Sequence, residues 1–245
     1  MGVLQMEIQQ IKENLSTYNM IGTSIKTTLE QIQKDFVIDN PSFSENEIFV
    51  RIINNDIIIE YVKASNEFDS EDESSRSILS IINVDNDNLR FVSKTGICYQ
   101  HIKIDSALEL LDSMIRDLRR QFMNKKITFI SVDEIKSRIG LYWTIGSIIS
   151  MLLDNIKIEF LSNNKTISSD NLTMSIDRSN EIRFRYINHV GNHKTLGYIL
   201  YIKEFQKFSF NLRNHNYNFD YSDLINVVND HMDILEDQLK RNKYN

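Results

Sequence analysis

The sequence predicts an α+β fold written twice. Each unit holds a long helix, an antiparallel sheet of four or five strands and a closing helix, and the tandem copies pack as a pseudo-two-fold, two-lobed body. Three observations carry this expectation. Leu4, Ile8, Ile11, Leu15, Tyr18, Gly22, Ile25, Leu29, Ile32 and Phe36 recur at three- and four-residue steps, which keeps one face of a helix against a partner. Val132, Ile135, Ile139, Tyr142, Gly146, Ile149, Leu153, Ile156 and Phe160 repeat that spacing, with the same tyrosine four residues before the same glycine. A hairpin signal then follows each helix in step, so the two copies align without a gap from the helix stripe to that turn. The units are drawn as residues 1–124 and 125–245.

Taken in order, residues 3–37 read as the first helix. Gly22 lies in its apolar stripe at a cost of about 1 kcal/mol against alanine. Either another helix approaches too closely for a side chain, or the helix breaks there. Asn40-Pro41-Ser42 ends the element, because the residue before proline avoids helical backbone. Ile48 to Ile53 and Ile57 to Val62 are β-branched runs around Asn54-Asn55-Asp56; Leu172 to Ile176 and Ile182 to Ile187 repeat them around Arg178-Ser179-Asn180. An acidic stretch from Glu67 to Ser75 reads as a solvated loop, replaced in the second copy by Gly191-Asn192-His193-Lys194. Strand pairs follow, Ile78 to Val84 with Leu89 to Val92 and Leu196 to Ile202 with Phe208 to Leu212, and Ile97 to Ile104 reads as a further strand. The closing helices carry Leu108, Leu111, Ile115 and Leu118 after a cap at Asp105 or Ser106, and Leu224, Val227, Val228, Ile234, Leu235 and Leu239 after Ser222. Duplicated units tend to keep the two-fold contact of an ancestral homodimer, so Tyr18, Gly22, Tyr142 and Gly146 are the candidate interlobe helix crossing.

Composition bounds the function. The chain is 41% hydrophobic and 25% charged with a net charge of −6, which disfavours wholesale binding to nucleic acid or anionic membranes. Cys98 stands alone, so neither an intrachain disulfide nor a cysteine cage for zinc can form, and a reducing cytoplasm is the expected compartment. No basic-then-apolar leader and no bilayer-length apolar run is read, so no membrane partner is expected; the sequons at Asn14, Asn164 and Asn171 are taken as unused. Frequent Ile and Asn with a single proline, Pro41, suggest an AT-rich genome of a bacterium, phage or large virus.

Chemistry is sparse. Between Arg178 and Tyr217 seven basic residues face two acids among many aromatics, so Arg178, Arg183, Arg185, Lys194, Lys203, Lys207 and Arg213 form the candidate surface for nucleic acid or another partner. Strand alternation separates Arg183 and Arg185 from Phe184 and Tyr186, which weakens base stacking by this set. His189 and His193 flank a turn without a third ligand. Asp56, Glu60 and Lys63 have the wrong spacing for nuclease chemistry. Asp85-Asn86-Asp87-Asn88 lacks the glycine and glutamate of a calcium loop. Cys98 beside His101 reads as a structural thiol, and no glycine-rich phosphate loop or nucleophile elbow occurs. The expectation is therefore no catalytic residue, metal or cofactor. The chain is read as a protein-binding inhibitor, adaptor or assembly factor of a phage, virus or mobile element, as monomer or homodimer. A chaperone or immunity protein masking one cognate protein, loosely like secretion chaperones, and a nucleic-acid binder are the alternatives.

Overall fold

The computed structural model describes residues 2–62, 76–85, 88–92, 104–124, 131–177, 179–202, 207–212 and 220–242. The first half runs α1 Gly2–Glu13, α2 Leu15–Asp39, β1 Ile48–Ile53, β2 Asp56–Val62, β3 Arg76–Asp85, β4 Asn88–Val92 and α3 Ile104–Asn124. The second runs α4 Val132–Ser137, α5 Ile139–Asn163, β5 Leu172–Ile176, β6 Ile182–Ile187, β7 His193–Ile202, β8 Lys207–Leu212 and α6 Tyr221–Asn242. β1 to β4 pair antiparallel in chain order, and so do β5 to β8. The fold is α+β. The acidic stretch from Glu67 to Ser75 lies outside the described residues, as does residue 97–103 of the further strand; Ile104 already belongs to α3.

The long helices break in one place and hold in another. Each is interrupted early, at Asn14 between α1 and α2 and at Arg138 between α4 and α5, although the apolar stripe runs straight through both points. Neither breaks at its glycine. A Cβ on Gly146 would fall against the Cα of Gly22 and 2.9 Å from its carbonyl carbon, so these two glycines are where α2 and α5 touch backbone to backbone. The close-approach reading of Gly22 is the one the fold uses. Tyr18 and Tyr142 are both buried, and the Tyr142 hydroxyl donates to Glu134 Oε1 at 3.4 Å. Both closing helices start ahead of their expected caps: α3 at Ile104 and α6 at Tyr221.

The hairpins form at the expected residues, but their turns differ. Asn54 and Asn55 both take left-handed backbone, φ 49° and 67°, in a two-residue turn. The second turn spans Asp177 to Glu181, closed by the Asp177 N–H on the Glu181 carbonyl at 3.0 Å, with Asn180 at φ 61°. Ile52 pairs with Ile57 and Ile176 with Ile182, so the second turn holds one residue more. The gap-free alignment of the two stretches therefore ends at this turn.

The chain divides into two compact units, Thr23–Trp143 and a second made of Met1–Gly22 with Thr144–Asn245. These lines differ from the sequence halves 1–124 and 125–245, because each boundary falls inside a long helix. In Thr23–Trp143 the inner sheet face, with Ile48, Ile52, Ile57, Ile59 and Ile82, is buried together with Ile25, Leu29, Ile32 and Phe36 of α2, Leu111, Met114 and Leu118 of α3, and Ile135 of α4. Phe43 joins Phe36 to Tyr61 through ring contacts at 5.9 and 5.3 Å. In the other unit Leu172, Ile182, Phe184 and Ile199 share the core with Ile11, Leu15, Tyr18 and Ile21, with Ile145, Ile149, Leu152, Ile156 and Phe160 of α5, and with Val228, Leu235 and Leu239 of α6. Phe160 stacks obliquely on Phe184 at 5.0 Å.

Each unit is closed by an asparagine that bridges sheet turn and helix break. In Thr23–Trp143, Asn55 Nδ2 donates to the Ser137 carbonyl at 2.6 Å and its Oδ1 accepts the Gly140 N–H at 3.1 Å. In the other unit, Asn180 Nδ2 donates to the Glu13 carbonyl at 2.5 Å and its Oδ1 accepts the Ser16 N–H at 3.2 Å. A helix break strands one carbonyl and one N–H, and one amide satisfies both. The helix ends match as well. Asn40 and Asn164, both buried, donate to the carbonyls of Phe36 and Phe160, and Ser44 and Ser168 cap the 3-10 turns that lead into β1 and β5. Burial of Asn164 gives a physical reason for its sequon to stay unused.

Candidate functional site

The basic set on the second sheet is largely dispersed. Arg183 lies opposite Tyr198 and Arg185 opposite Thr195, on the face away from the buried Phe184. The β-bulge after Phe184 leaves Lys194 opposite Tyr186, on the other face from the arginines. Arg183 is committed: its Nη2 lies 2.5 Å from Asp177 Oδ2 and 2.9 Å from Glu181 Oε2. Burial pushes the Asp177 carboxyl up, but the Ser179 hydroxyl, the Glu181 and Ser179 N–H groups and the Arg183 charge outweigh it and hold it below 3.8. Arg178, Lys203 and Arg213 lie outside the described residues, and of Lys207 only the backbone, opposite Ile202, is described. A continuous phosphate track is not assembled among the described residues.

The other sequence candidates fall singly. Glu60 is buried on the first sheet, 2.6 Å from Arg51 Nη2, which makes it an ion-pair partner and not a metal ligand. His189 and His193 are exposed at a turn and a strand start. Among the described residues no three His, Cys, Asp or Glu side chains stand together to hold a metal ion. Lys63, Cys98 and His101 lie outside the described residues.

A different surface emerges on α5. Its inner stripe is core, yet its outer side is also apolar: Met151 is 57% and Ile158 66% exposed, and Ile148, one turn earlier, is half-buried. Positions i, i+3, i+7 and i+10 share a helix face, so these residues and Asn155 form one strip. Asn155 fixes the neighbour of that strip. Its Nδ2 lies 3.2 Å from Nε2 of the buried His231 on α6, and His231 Nδ1 is 2.8 Å from the Val227 carbonyl. A carbonyl can only accept, so Nδ1 carries the proton and Nε2 accepts from Asn155. α6 thus meets α5 beside the strip at Asn155, and Ile234, 46% exposed, follows one turn beyond His231 on α6. Each such side chain gains roughly 1.5–3 kcal/mol when fully covered. Comparisons of the chain with protein-family models, curated proteins and solved structures found no match.

The corresponding positions of α2 are polar: Ser24, Thr27 and Lys34 stand where α5 has Ile148, Met151 and Ile158. Apolarity on both sides is why α5 is the one helix among the described residues long and apolar enough to cross a membrane, where no such span was expected. Much of that apolarity is core, and Asp154, Lys157 and Glu159 interrupt it. Reading the inner stripes alone misses this surface. Setting the sequence of α5 against that of α2 finds it.

Proposed function

We propose that the chain is a non-enzymatic, cytoplasmic protein-binding protein, an inhibitor, adaptor or assembly factor of a phage, virus or mobile element, and that its partner docks on the outer side of α5 along α6. One observation carries the reading: large apolar side chains at Met151 and Ile158 face solvent on one side of α5, where the other long helix is polar at the same places, and α6, which meets α5 at Asn155, exposes Ile234. Neutralisation of Arg183 by Asp177 and Glu181 supports ranking nucleic acid below protein as the ligand. The same proposal includes descent by tandem duplication, with the pseudo-two-fold packing such descent implies. Its support is the paired asparagine bridges at Asn55 and Asn180, the paired helix ends at Asn40 and Asn164 and the glycine contact.

The test is a tagged purification from a related host in two versions, wild type and Met151→Thr with Ile158→Lys, the residues α2 carries. A protein band at fixed stoichiometry with the wild type, absent with the double variant, is the expected result. An unchanged band with the variant, or an eluate whose 260 nm absorbance disappears in salt, would sink it.

A further inference from the structure

We infer that the segment docking on α5 and α6 is a basic amphipathic helix, a deduction that rests on the docking reading above. The strip has the form such a helix needs. Ile148, Met151 and Ile158 span three turns of α5, and a partner helix lying along them presents an apolar face of its own at the same repeat. Carboxylates border the strip on both edges. On α5, Asp154 is exposed one position before Asn155, on the side away from α6. On α6, Asp230 and Asp237 are exposed on the turns either side of Ile234, and Asp237 lies 3.9 Å from Lys240 Nζ near the end of that helix.

Among the acids of α6, Glu236 and Asp237 share Lys240, at 3.0 and 3.9 Å. Glu236 and Asp233 lie toward Lys12 of α1, whose ammonium burial pulls down and these two carboxylates support. Asp230, Ile234 and Asp237 follow each other at four- and three-residue steps on the flank that continues from His231. An apolar strip between negative rims selects a segment with Lys or Arg on either side of its apolar face, and it repels an acidic one or an anionic membrane.

Full-length protein and two labelled synthetic helices of about 18 residues, five turns, decide it. The helices share one leucine pattern and carry lysine in one and glutamate in the other. By fluorescence anisotropy the lysine peptide is expected to bind at least about tenfold more tightly, with the advantage shrinking in salt of about 0.5 M. Replacing Asp154, Asp230 and Asp237 by Asn is expected to erase most of that ratio, and Met151→Thr with Ile158→Lys to abolish binding of the lysine peptide while circular dichroism is unchanged. Equal binding of both peptides, or a lysine preference that survives the three Asn replacements, would overturn the basic-helix inference and leave the docking face standing. Peptide binding that survives the α5 double variant, or no binding of either peptide, would overturn both. A dimer in sedimentation that the double variant dissociates would give the strip to a second copy of the chain. Sedimentation with phosphatidylglycerol vesicles that depends on Met151 and Ile158 would give it to lipid, and each of these results overturns the inference.

Discussion

Asn55 and Asn180 each perform two jobs with one side chain. Their backbones take the left-handed turn that lets a hairpin reverse, and their amides close a break in a helix 82 and 167 residues away in sequence. The first job was legible, because asparagine between β-branched runs is a turn signal. The second was not, since no local pattern names a partner so distant. Beside Asn180, Asp177 offers a pH test. Its folded carboxyl titrates below the ordinary 3.8, so its contribution is present above that value and is lost as pH falls through the lowered one. Asp177→Asn is expected to cost about 1 kcal/mol near neutrality, held down by solvent at the half-exposed Arg183. In urea unfolding the gap between wild type and variant closes as the pH is taken below the carboxylate range; a gap that stays constant would remove the ion pair from the explanation.

At the scale of elements, the strands were readable to within a few residues because β-branched runs and turn residues punctuate them locally. The inner faces of α2 and α5 were readable for the same reason: the three-four repeat of Ile25, Leu29, Ile32 and Phe36, and of Ile149, Leu153, Ile156 and Phe160, is what the core buries. Two features escaped. The breaks at Asn14 and Arg138 lie within an unbroken apolar repeat, so periodicity passes over them. The outer strip of α5 is hidden because hydrophobic residues on a helix are credited to its core until exposure is known. The glycine pair is testable here. Gly146→Ala places a methyl group into the Gly22 backbone, with no flexible side chain to yield, and is expected to cost about 3 kcal/mol in thermal or urea unfolding. Ordinary helix propensity predicts the opposite sign, a gain of about 1 kcal/mol, so stabilisation by this substitution would show that the helices do not meet there.

For the molecule as a whole, the repeated pattern marks units at 1–124 and 125–245, whereas contacts divide the chain after residues 22 and 143. The sheet turn of either half completes the helix break that opens the other. A fragment of residues 1–124 therefore keeps Asn55 and lacks Ser137 and Gly140, whereas residues 23–143 keep all three. The second fragment is expected to show more helix and a more cooperative urea transition by circular dichroism; equal behaviour of the two would place the stabilising contacts elsewhere. The division also bears on the order of synthesis. Thr23–Trp143 leaves the ribosome as one continuous stretch, free to fold while translation proceeds. Met1–Gly22 is separated from the rest of its own unit, Thr144–Asn245, by the whole of that stretch. Ile11, Leu15, Tyr18 and Ile21 therefore wait for their core partners until all of Thr23–Trp143 has been made, so the continuous unit can be complete before the interrupted one is.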